Sequence, residues 1–274
     1  MLKHATNHTQ TRWHSLKNEL NKTKIKTNNL MKCLNCSNPI EKKFCNICGQ
    51  KTSTHRFSIK HILDVGILNG IFTINKGFFF TLKELFTRPG HSIREYINGK
   101  RVKYFNAFSL LILLIAIVYL ADEYSDLRLA DIMNEGSKDF ANSMEEFTKN
   151  YPRLIYIINI PIMAFSSYIF FKKSKVNFAE NIILNTYISS GLIVLTFPFT
   201  LLTIFYKDKS VLGLLFQLTP LITIGYSLLV YYQFFSDYKY KKRNLIFRSI
   251  FAIILFMLLQ GITFASIVGI KNIL

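Results

Sequence analysis

The chain has 274 residues, half of them hydrophobic with 25 Phe and 14 Tyr, yet 34 Lys+Arg against 16 Asp+Glu leave a formal charge of +18. The two features are segregated: residues 1–104 hold 19 basic and 5 acidic side chains, a difference of +14, and long apolar runs dominate the rest. That distribution excludes an ordinary soluble domain, and four cysteines confined to residues 33–48 exclude a disulfide framework spread over the fold.

Residues 1–32 are polar, basic and rich in Asn and Thr. They lack the apolar core of a signal peptide, so they read as an uncleaved, flexible, solvated tail. The next segment, 33–50, carries the most specific pattern in the chain: Cys33 and Cys36, then Cys45 and Cys48 followed by Gly49. Each Cys-x-x-Cys pair turns two thiolates toward one ion, and zinc takes four such ligands in a tetrahedron. The expectation is a structural zinc ribbon with Cys33, Cys36, Cys45 and Cys48 as metal ligands, Phe44 covering its small core, and no open coordination position for catalysis. The reduced thiols fit a cytoplasmic compartment. His55, His61 and His91 follow at no ligand spacing and read as surface or interface residues.

Residues 57–104 read as juxtamembrane amphipathic helices lying in the interface plane or packing beneath a helical bundle. The first stripe is Ile59, Ile62, Leu63, Ile67 and Ile71. The second is Phe78, Phe79, Leu82, Leu85 and Phe86, with Lys83 and Glu84 facing away. Arg88-Pro89-Gly90 stops that helix, and a short one with Ile93, Tyr96 and Ile97 ends near Gly99. Residues 62–80 are apolar enough to raise the question of an additional span, but Asp64 and Lys76 would be costly near mid-bilayer.

From here the chain reads as an all-α polytopic membrane protein. A bilayer core about 30 Å thick needs roughly 20 apolar helical residues. Five stretches of 105–274 qualify or come close: 105–121, 154–171, 182–206, 211–235 and 245–270, with Arg248 their one charged residue. Basic clusters at Lys100, Arg101 and Lys103, at Lys172, Lys173 and Lys175, and at Lys239, Lys241, Lys242 and Arg243 all fall on one side of that arrangement. Residues 122–153, with 8 acidic and 4 basic side chains, fall on the other. The positive-inside rule then places the N-terminus in the cytoplasm and the C-terminus outside.

Residues 33–49, the run Thr81-Leu-Lys-Glu-Leu-Phe-Thr-Arg-Pro-Gly90 and the run Ile93-Arg-Glu-Tyr-Ile-Asn-Gly-Lys-Arg-Val-Lys-Tyr-Phe-Asn106 together resemble the domain-of-unknown-function family 3667, zinc-ribbon-headed bacterial integral membrane proteins. One departure is Ala107, where a Pro is expected. The resemblance implies a bacterial inner membrane protein with a zinc head and supplies no activity.

Neither a His-Glu-x-x-His pair, a Gly-x-Ser-x-Gly elbow nor a phosphate-binding Gly-rich lysine loop occurs. The expectation is therefore a non-enzymatic adaptor or regulator, held at anionic lipid headgroups by its basic head and binding a cytoplasmic protein through the ribbon. A transporter or lipid-handling protein is the alternative, because Pro161, Pro198 and Pro220 interrupt the apolar runs and Asn159, Asn185, Gln217 and Gln260 could supply polar contacts there. A membrane-tethered nucleic-acid binder ranks last: few aromatics interleave with the basic residues of the head.

Overall fold

A computed structural model describes residues 31–40, 42–62, 76–125, 127–128, 131 and 138–271. The stretch 63–75, where the first apolar stripe and the question of an additional span mainly lie, falls outside the described residues, as does the 1–30 part of the tail. The chain divides into two compact units, residues 1–55 with 99–102 and residues 56–98 with 103–274.

The first unit contains one small hairpin. Strands β1 (Met31–Lys32) and β2 (Pro39–Ile40) pair antiparallel with Met31 opposite Ile40. A single bridge between Phe44 and Lys51 closes a second turn.

The second unit is helical. A short turn at Ile59–His61 precedes α1 (Lys76–Thr87) and α2 (Pro89–Ile97). Pro89 separates them, and Pro suits the first turn of a helix because its missing N–H would be unpaired there anyway. Then come α3 (Ala107–Asp122), α4 (Lys138–Asn150), α5 (Pro152–Phe170), α6 (Phe178–Phe205), α7 (Lys209–Phe235) and α8 (Lys242–Lys271). Among the described residues, three helices are long and apolar enough to cross a membrane, at Phe178–Phe205, Lys209–Phe235 and Lys242–Ser266. Ala107–Asp122 and Leu154–Phe170 are shorter apolar helices.

Helix starts are set by side chains. Asn106 accepts from Phe108 and Ser109 N–H at 3.0 and 3.2 Å. Asp208 caps α7 through Ser210 N–H at 2.9 Å. Asn177 and Glu180 form a capping box at the head of α6, each satisfying a backbone donor that the first turn leaves open. The helices run unbroken through Pro161, Pro198 and Pro220. Pro220 deprives the Phe216 carbonyl of its usual amide, and the Thr219 hydroxyl donates to that oxygen at 2.7 Å instead.

Packing within this unit divides the second apolar stripe and corrects the outward placement of Glu84. Phe78 and Leu85 are buried, Phe79 and Phe86 are 71% and 51% exposed, and Glu84, expected to face away, is buried. The buried side of α1 runs through Phe78, Thr81 and Leu85 because Thr81 is also a ligand for the turn ahead of α3: its hydroxyl accepts from Phe105 N–H at 2.8 Å. Ile93, Tyr96 and Ile97 of α2 join the main core, and α2 packs on the C-terminal end of α7. The approach is close enough that a Cβ on Gly90 would come within 2.4 Å of backbone atoms of Val230 and Phe234.

A buried polar chain ties three helices together. Ser167 donates to Asn181 at 2.8 Å, Asn185 donates to Ser167 at 3.1 Å, and Tyr231 donates to Asn185 at 2.7 Å. Asn185 is therefore a helix-bridging amide. Gln217 is exposed, and Asn159 and Gln260 border a cavity instead.

Candidate metal centre

The two Cys-x-x-Cys segments fold into turns with the same hydrogen-bond pattern. Cys33 N–H donates to the Asn38 carbonyl at 2.8 Å and Ser37 N–H to the Cys33 carbonyl at 2.8 Å. Cys45 N–H donates to Gln50 at 2.9 Å and Gly49 N–H to Cys45 at 2.9 Å. Both turns place a residue in the left-handed region four positions after the first cysteine, Ser37 at φ 62° and Gly49 at φ 71°. Gly49 is the residue suited to that conformation. Ser37 does the same work without glycine's freedom, so the first turn carried no glycine signal.

These turns bring all four sulfurs within 4.8 Å of one another. Cys33 Sγ lies 3.5 Å from Cys48 Sγ, and Cys36 Sγ lies 3.5 Å from Cys45 Sγ. Four sulfurs at about 2.3 Å from one tetrahedral ion would sit about 3.8 Å apart, within the range observed. A disulfide needs about 2.05 Å, and all four cysteines are free thiols. Cys33 and Cys45 are buried, and Cys36 and Cys48 are half-buried. The Asn38 backbone and side chain both hydrogen-bond the Cys36 sulfur and lower its pKa to about 6, toward the thiolate that a metal requires. The donor set thus fits a thiophilic ion. Among the described residues these four cysteines form the one group placed to hold a metal.

Two expectations at this centre change. Phe44 does not cover a core: it is 55% exposed, and the four sulfurs gather within 4.8 Å of one another without it. Gln50, which the cysteine pattern did not flag, is buried. Its carboxamide donates to the Gly99 carbonyl at 2.7 Å and accepts from Arg101 N–H at 3.2 Å. Arg101 in turn donates to the His55 carbonyl at 2.8 Å. Gly99 has φ +104°, and a Cβ there would meet the Leu34 side chain at 2.6 Å. The ribbon is therefore clasped to 99–102, the tetrapeptide that precedes α3 in the chain.

In the helical unit the charged residues that the apolar-run reading passed over serve helix ends. Arg94, buried, donates to the Gln233 and Phe234 carbonyls at 2.6 and 2.7 Å and pairs with Asp237 at 2.7 Å, so a cation closes the C-terminus of α7. Its Nη2 also lies 2.7 Å from His91 Nδ1. Burial and the Arg94 charge hold the His91 imidazole below its ordinary pKa. Arg56 meets Glu180 through two contacts at 2.5 and 2.7 Å at the N-terminus of α6, which holds its guanidinium above its ordinary pKa. Arg88 pairs with Glu84 and Glu95 at 2.6 and 3.0 Å, and Tyr104 donates to Glu95 at 3.2 Å. Arg248 donates to the Phe170 carbonyl. Of the acidic loop residues, Asp131 pairs with Lys209 at 3.0 Å, which lowers its carboxyl pKa. The side chain of His61 lies outside the described set.

The fold and the site define a mostly helical protein with membrane-length helices and a four-cysteine group near its N-terminus. Residues 75–119 match the family described as "Protein of unknown function (DUF3667)", which bears out the family resemblance over α1, α2 and most of α3 and leaves the cysteines outside the matched stretch. No curated protein and no solved structure matches the chain.

Proposed function

We propose that the chain is a multi-pass protein of the bacterial inner membrane in which five helices, α3 and α5 to α8, cross the bilayer, and that it acts as a non-enzymatic adaptor or regulator. Four thiolates close the shell of a structural zinc ion and leave no place for a reacting water. The ribbon and the 99–102 tetrapeptide then present a surface to a cytoplasmic protein. The observation that carries this reading is the exposure of large apolar side chains on so small a module: Met31 at 76%, Leu34 at 51%, Phe44 at 55% and Ile47 at 72%. Apolar side chains left in water on a folded module mark a binding surface when they are this dense.

The basic loop residues Lys172, Lys173, Lys175, Lys239, Lys241, Lys242 and Arg243 are exposed. They belong to the loops at the α5–α6 and α7–α8 junctions, and that side of the bundle faces the cytoplasm and its anionic headgroups in this reading, with the N-terminus inside and the C-terminus outside. Nucleic acid ranks behind lipid and protein as a partner.

Crosslinking in intact membranes, read by mass spectrometry, tests the proposal by comparing wild type with a Cys33→Ser, Cys36→Ser double variant at matched abundance. A cytoplasmic protein crosslinked to ribbon residues in wild type and lost in the variant supports it. Identical crosslink maps for the two proteins sink it. The second reading, a transporter or lipid-handling protein, draws support from a cavity beside Pro220.

A further inference from the structure

A cavity of about 370 Å³ opens among α5, α6, α7 and α8. Its wall includes Asn159, Ser189, Pro220, Tyr231, Met257 and Gln260, and among the described residues no Asp, Glu, Lys, Arg or His lines it. It lies at mid-depth. At 1.5 Å per residue, Asn159 sits about 10 Å from the start of α5 and Pro220 about 16 Å from the start of α7.

Three properties of the wall describe an occupant. Most of the lining is apolar, so the bulk of the ligand is apolar. The Asn159 carboxamide oxygen is buried with no hydrogen-bond partner among the described residues, so it calls for a donor, because a buried acceptor left unpaired loses its hydration without return. Three other hydroxyls of the wall are already engaged: Tyr231 donates to Asn185, Thr196 to the Leu192 carbonyl at 3.0 Å, and Thr223 to the Pro220 carbonyl at 2.9 Å. Finally, Pro220 and Met257 on the wall are exposed on the bundle surface, which in membrane-spanning helices is the surface that meets lipid. The cavity is thus reached from the bilayer and carries no charge to hold an ionic headgroup. At about 30 Å³ per water-sized group, it accepts roughly a dozen heavy atoms, which is the polar end of a lipid with its tail left in the membrane.

We infer that this cavity binds the hydroxyl end of an uncharged long-chain lipid alcohol, which donates to Asn159 Oδ1. The inference stands apart from the ribbon, since it uses only helices of the second unit. It deepens the lipid-handling reading and rests on that reading's assignment of these helices to the bilayer.

The full-length protein, reconstituted in phosphatidylethanolamine and phosphatidylglycerol vesicles, is photolabelled with oleyl alcohol carrying a diazirine and an alkyne. Labelled peptides are mapped by mass spectrometry. Saturable labelling is expected within residues 155–163 and 253–260, competed by unlabelled oleyl alcohol about fivefold more effectively than by oleyl methyl ether, which has no donor. Asn159→Leu should weaken labelling by about the same factor. It should keep or raise the thermal midpoint, because it removes an unpaired buried acceptor. Ile224→Trp, which fills the cavity, should abolish labelling, and the Cys33→Ser, Cys36→Ser variant should label as wild type does. Labelling spread evenly over the lipid-facing helices overturns the inference. So does equal competition by alcohol and ether, full labelling of Asn159→Leu, or a wild type that shows no saturable label because water fills the cavity.

Discussion

Arg94 closes the C-terminus of α7, and replacing it tests whether α2 is a structural part of the helical unit. In Arg94→Met the aliphatic stem keeps its packing while the guanidinium is lost. The Gln233 and Phe234 carbonyls, at 2.6 and 2.7 Å, lose their charged donor. A hydrogen bond to a charged group contributes about 1.5–3 kcal/mol, and two are lost here. The Asp237 contact adds little, because that carboxylate is 64% exposed and solvent screens it. Arg94→Met should therefore destabilise the protein by about 3 kcal/mol or more. At about 2–4 °C per kcal/mol for a chain of this size, the midpoint falls by about 6 °C or more. Arg94→Lys, with one compact head in place of the planar fork, should recover part of the loss. Thermal unfolding in detergent, followed by fluorescence-detected size exclusion, reads both. A midpoint within about 1 °C of wild type for Arg94→Met would refute the capping role.

Two further outcomes follow from the same geometry. Gln50→Ala removes two hydrogen bonds that hold 99–102, worth about 1–3 kcal/mol together. Trypsin cleavage after Lys100 or Arg101 should then speed up at least about fivefold, and unchanged cleavage would show that the clasp contributes nothing. His91 is held below its ordinary value of 6.5 by burial and by Arg94. Its folded form binds protons less readily than the unfolded chain does. Its contribution to stability is therefore present above pH 6.5 and lost as the pH falls below it. Nuclear magnetic resonance of the imidazole should give a midpoint under 6.5, and one at or above that value would contradict its half-buried place beside Arg94.

What could be read from the sequence was local. The cysteine turns depend on contacts within five residues, so Cys33, Cys36, Cys45 and Cys48 could be grouped from their spacing alone. The stop at Pro89 is likewise a one-turn effect. The residues that reading missed have distant partners. Gln50 is answered by Gly99, Arg56 by Glu180 and Arg94 by Phe234. Glu180 escaped notice because it lies two residues ahead of the apolar run that marked the span, inside the first turn of α6. Phe79 and Phe86 share an apolar face with Phe78 and Leu85 in the sequence, and periodicity cannot separate the part of that face that meets protein from the part left exposed. Here the polar Thr81, needed by Phe105, decided which side turned inward. Asn159 and Asn185 looked alike as amides among apolar residues. Only packing distinguished the one that bridges helices from the one that borders a cavity.

In the proposed reading the head holds a closed zinc centre that builds a binding surface and leaves no position for a reacting water. X-ray absorption at the zinc edge on the purified full-length protein, with the metal content measured on the same sample, tests it most directly. One zinc per chain is expected, with four sulfur neighbours at about 2.3 Å and no lighter scatterer in the first shell. A nitrogen or oxygen neighbour, which would mark an open position, would contradict it, as would a protein that holds no zinc.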